Sequence, residues 1–74
     1  MGAREKIYEL GSKIIELKRF LQSTDYQAIK YAEGELSAEE YAETKAQRKA
    51  WRAEINRLEV EIEVLKAEEE SKRL

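Results

Sequence analysis

The chain has no cysteine, no histidine and no proline, and only three glycines among 74 residues. Without cysteine there is no disulfide and no thiolate nucleophile. Without cysteine or histidine a structural zinc site has no donors of the usual kind. The missing thiols suit a reducing compartment. Without proline nothing forces a break in a helix. Long apolar runs are absent as well, the longest being two residues. No stretch therefore reads as a transmembrane span or a signal-peptide core, and the expected compartment is cytoplasmic. Charge of one sign is also missing. Fourteen basic residues stand against sixteen acidic ones, a net of −2, so no global attraction to nucleic acid or to an anionic membrane is expected.

What is present is helix-forming composition. Charged residues make up 41% of the chain, and Ala, Glu, Lys, Leu, Arg and Gln dominate, as in long helices and coiled coils. A domain of this size buries a small core and gains from ideal helix packing or a partner.

The clearest punctuation is Gly34-Glu35-Leu36-Ser37. Gly34 can close a helix in the left-handed conformation. Ser37 with Glu40 forms a capping box for the next helix, and Glu39 and Glu40 suit its positive N-terminus. The pattern predicts a first helix over about 3–33, a turn at 34–37 and a second helix over about 38–72, with Lys72 and Arg73 at the end where the dipole favours cations. Ser23 or Thr24 offers a second cap, with Gln27 completing a box from Thr24, so a kink or short break is expected near Ser23–Asp25. Gly11 falls inside the first helix, at a cost of about 1 kcal/mol relative to alanine, and suggests a close approach there.

Ile7, Leu10, Ile14, Leu17 and Leu21 step by three, four, three, four, and Trp51, Ile55, Leu58, Ile62 and Leu65 step in the mirror order. Both are heptad stripes. Facing residues of a hairpin have a constant index sum. Ile7 with Leu65, Leu10 with Ile62, Ile14 with Leu58, Leu17 with Ile55, Leu21 with Trp51 and Tyr31 with Tyr41 all add to 72. The midpoint falls inside the turn deduced from Gly34 and Ser37, and such agreement between levels marks a sequence that specifies one fold. The expected fold is all-α: one antiparallel, coiled-coil-like two-helix hairpin over 1–74, able to dimerise into a four-helix bundle. Lys6 beside Glu68 and Lys13 beside Glu61 are expected to flank the seam, while Lys18 approaches Arg52.

Thr24 and Arg48 share the same index sum but are polar. Two outcomes are open for Arg48. It can snorkel to solvent along the seam edge, or it can reach across, with Asp25 as counter-ion, and fix register as buried polar seam residues do.

Apolar residues also lie off the seam: Tyr8, Ile15, Phe20, Tyr26 and Ile29 on the first helix, and Val60, Val64 and Ala67 on the second. Scattered exposed apolars are ordinary. The sharper alternative is a candidate partner surface, for a homo-oligomer or for another protein.

No catalytic set is found. There is no histidine or cysteine, and the four serines lack a base. Carboxylate pairs such as Glu59 and Glu63 read as solvated helix surface, since a di-metal bundle needs Glu-x-x-His. The reading is therefore a non-enzyme without metal or cofactor. Lys45, Lys49 and Arg52 share a basic face near Trp51, a weak nucleic-acid candidate. Acidic flanks oppose that reading: residues 25–43 and 59–70 each carry net −5.

Three segments also carry a resemblance: Thr24-Asp25-Tyr26 with Ile29-Lys30 and Glu33-Gly34, then Glu39-Glu40-Tyr41-Ala42, then Gln47-Arg48, Trp51-Arg52, Glu54-Ile55-Asn56 and Leu58-Glu59. Together, over residues 17–59, they resemble a segment of short, mostly uncharacterised phage and prophage helical proteins, which also ends some tail-associated proteins. The resemblance implies phage or prophage origin and a helical hairpin, and no activity. The leading expectation is a structural or adaptor protein acting by protein–protein contact, in the cytoplasm of a bacterial host or on the virion. The alternative is a small inhibitor of a host defence protein, of the anti-CRISPR or anti-nuclease kind, acting by helix-in-groove binding.

Overall fold

The computed structural model describes residues 2–73, apart from the side chains of residues 3, 72 and 73. The expected dipole contacts of Lys72 and Arg73 thus lie outside the described residues. Two helices, α1 (Ala3–Ala32) and α2 (Ala38–Arg73), double back on each other as an antiparallel hairpin. The molecule measures 56 × 16 × 14 Å. Its length matches the 36 residues of α2 at about 1.5 Å rise each.

The turn follows from two local devices. Gly34 adopts φ 82°, where a side chain would be strained. The Gly34 N–H then donates to the Tyr31 carbonyl (3.1 Å) and the Glu35 N–H to the Lys30 carbonyl (2.8 Å). These are the paired bonds of a Schellman ending, and they satisfy carbonyls the helix leaves orphaned. At the start of α2 the Glu40 N–H donates to Ser37 Oγ (3.1 Å), and the Ser37 N–H donates to Glu40 Oε1 (3.0 Å). That reciprocal box supplies two acceptors the first turn lacks.

The core is one layer thick. Leu10, Ile14, Leu17, Ile55 and Leu58 are buried, with Leu21, Trp51, Ile62 and Leu65 packed against them. Leu58 is 1% exposed. Each fully buried aliphatic side chain contributes roughly 1.5–3 kcal/mol. Ile7 is half-buried at the open end, beyond this cluster. Toward the turn the packing becomes aromatic: Tyr31 stacks on Tyr41 with ring centroids 4.6 Å apart, and Tyr41 is buried.

Three sequence expectations are corrected. The helix does not break at Ser23–Asp25, because α1 is continuous to Ala32. Ser23 Oγ bonds back to the Phe20 carbonyl (2.8 Å), and Thr24 Oγ1 to the Phe20 and Leu21 carbonyls (3.0 Å each). Hydroxyls committed in this way sit inside a helix and do not act as caps. Nor does anything approach Gly11 closely: a Cβ there would meet nothing within 4 Å. Finally, the flanking charges pair differently. Glu61 meets Arg57 on its own helix (3.6 Å), and Arg4 meets Glu69 across the hairpin (3.7 Å). Ion pairs of this kind contribute little, so nothing compelled the cross-seam partners.

Candidate functional site

Two features lie outside the aliphatic core: a polar layer within the seam and an apolar face outside it. The polar layer is built around Arg48, whose side chain is only 12% exposed. Its Nη1 donates to the Leu21 carbonyl and to Thr24 Oγ1, both at 2.7 Å. Its Nη2 lies 3.0 Å from Asp25 Oδ1. Arg48 therefore reaches across the seam. Asp25 stays 54% exposed, so only one end of the ion pair gives up its water. Beside it Thr44 Oγ1 donates to Gln27 Oε1 (2.7 Å). Among the described residues no buried side-chain N or O lacks a partner. This layer ties α1 to α2 across the seam.

The outer face of α1 carries Tyr8 (77% exposed), Ile15, Tyr26 and Ile29, and that of α2 carries Val60 (64% exposed) and Val64. Val64, Ala67, Glu68 and Ser71 line a shallow apolar depression. Phe20 differs from the rest. It packs on Trp51 at the seam edge, with ring centroids 5.4 Å apart, and is 41% exposed. Lys30 Nζ sits 5.4 Å from the Tyr26 ring centroid, a cation–π contact. Lys45, Lys49 and Arg52 are all exposed and make no ion pair among the described residues.

The α2 stripe is longer than the sequence reading made it. Ala46, Ala50 and Ala53 are exposed and continue the spacing of Val60, Val64 and Ala67 back along the same face. The signal was present as a second three-and-four repeat, hidden because alanine weighs little beside valine. Arg57 interrupts the stripe at its centre. Its Nε donates to Glu54 Oε2 (3.2 Å), its Nη2 pairs with the other Glu54 oxygen, and its Nη1 faces Glu61. The hydrogen bond from Arg57, and then its charge, hold the Glu54 carboxyl below its ordinary value. The same bond raises Arg57.

Among the described residues no group of three or more His, Cys, Asp or Glu is placed to hold a metal ion. Among the described residues no helix is long and apolar enough to cross a membrane. No family model, curated protein or solved structure matches the chain.

Proposed function

We propose that this chain is a non-enzymatic structural or adaptor protein of phage or prophage origin that works by binding protein through its outer helix faces. One observation carries the reading. The hairpin completes its own seam, yet leaves Tyr8, Ile15, Val60 and Val64 each more than half exposed. Exposed apolar side chains gathered on the outer face of each helix, with no core left to join, are the usual mark of an interaction surface. The phage origin rests on the resemblance over residues 17–59.

The test is photo-crosslinking in producing cells, with a benzophenone amino acid placed in turn at Tyr8, at Val60 and at Glu35, an exposed polar control in the turn. The proposal predicts a discrete protein adduct from Tyr8 or Val60 and none from Glu35. Adducts absent at both apolar positions, or equal at all three, overturn it.

A further inference from the structure

We infer that the occupant of the outer face of α2 is a second copy of this chain, docked antiparallel along the stripe Ala46, Ala50, Ala53, Val60, Val64 and Ala67. The inference rests on the interaction reading above and names its partner. These residues are exposed and run from residue 46 to residue 67, about 32 Å of helix.

Charge selects the partner and its direction. Residues 45–57 carry net +4, and residues 59–70 net −5. An antiparallel second copy sets the basic half of each α2 against the acidic half of the other. A parallel copy would set like against like. A foreign helix covering the whole stripe needs the same two-signed pattern reversed, which another α2 already has. Electrostatic matching of this kind directs partner choice and orientation more than it adds affinity.

Side-chain size selects the same arrangement. Setting Ala50 opposite Ala67 puts Ala53 opposite Val64 and Ala46 opposite Ser71. Val64 of each helix then meets Ala53 of the other and Val60 meets Arg57, whereas parallel pairing stacks Val60 on Val60 and Val64 on Val64 and sets Arg57 against Arg57. In this register Lys49 flanks Glu70 of the second copy, twice by symmetry. The centre of the contact carries no bare cation, because Arg57 arrives already paired with Glu54 and Glu61.

The experiment is a charge exchange on the purified full chain, read by sedimentation equilibrium. Wild type is expected at twice 8.7 kDa at tens of micromolar. Lys49→Glu alone and Glu70→Lys alone should each weaken the dimer by about tenfold, and the double exchange should recover most of that loss. Both sites are exposed, and circular dichroism checks that each variant stays helical. A spin label at Ala46→Cys should report two labels roughly 37 Å apart along the axis. A chain that stays monomeric at millimolar concentration, a double exchange no tighter than the single ones, or a label separation near 10 Å overturns the inference. A discrete in-cell adduct between Val60 and a different protein also overturns it, yet leaves the interaction reading standing.

Discussion

The two halves of the seam do different jobs. Away from the turn, Leu10, Ile14, Leu17, Ile55 and Leu58 form an aliphatic layer that excludes water. Toward the turn, Arg48 bonds to Leu21, Thr24 and Asp25, and Tyr31 stacks on Tyr41. The aliphatic half gives stability with little address. A slide of one heptad would lay oily residues against oily residues again, because their period is seven. The polar half gives address with little stability. The same slide would move the Arg48 guanidinium away from the Thr24 hydroxyl and the Leu21 carbonyl and lay it against Leu17 or Tyr31, leaving a mostly buried cation without its acceptors. A single polar layer in an apolar seam fixes register in this way.

That division of labour can be broken most forcefully in the aliphatic half. Leu58→Ala should cost about 2–5 kcal/mol in urea unfolding, because it opens a cavity where the side chain is fully enclosed. In a core one layer thick this is a large share of the total. An effect below about 1 kcal/mol would mean that the aliphatic half is not the main source of stability. Arg48→Ala should cost less, about 1–3 kcal/mol, by removing the bonds to Leu21, Thr24 and Asp25 and leaving a gap in the seam. Arg48→Met is the sharper variant. The methionine refills the seam, and Asp25, already 54% exposed, stays hydrated, so the midpoint should fall less than in Arg48→Ala. The amide spectrum should then show more than one set of peaks as register loosens. A Met variant with one clean set of peaks would sink the claim that this layer fixes register.

The hairpin was legible because two independent signals met: the mirrored heptad stripes, whose constant index sum sets a midpoint, and the Gly34–Ser37 punctuation that falls on it. The observed cross-seam contacts fall on that sum or beside it, as with Tyr31 on Tyr41, Arg48 on Thr24 and Phe20 on Trp51. What stayed hidden depended on which way a hydroxyl or a charge would turn. Thr24 has the composition of a cap, but its hydroxyl is held between the Leu21 carbonyl and Arg48. Spacing alone does not decide between those roles. Gly11 suggested a neighbour that the flank of α1 does not have. Flexible surface charges such as Lys6 and Lys13 carry too little energy for the sequence to dictate their partners. The outer stripe was half legible: its valines stood out, and its alanines needed the completed hairpin to show which face was left uncovered.

The smallest expected effect separates the two halves by pH. Near the turn, the Ser37 backbone N–H, and then the Ser37 hydroxyl, hold the Glu40 carboxyl below its ordinary value of 4.5. In the far half, Arg57 does the same for Glu54. Both groups bind fewer protons folded than unfolded. Each therefore contributes stability that is present above the ordinary carboxylate range and is lost as pH falls through the lowered folded value. The two should still differ. The Glu40 bonds exist only once the chain has turned at Ser37 and started α2. The pair of Glu54 with Arg57 lies three residues apart on one helix and can re-form in any transiently helical stretch of the unfolded chain. Melting temperature followed from pH 7 to pH 2 should accordingly fall less steeply in Glu40→Gln than in wild type, with Glu54→Gln closer to wild type. An acid limb flattened equally or more by Glu54→Gln would mean that the far half is tied to the fold by its surface charges as firmly as the turn is by its cap.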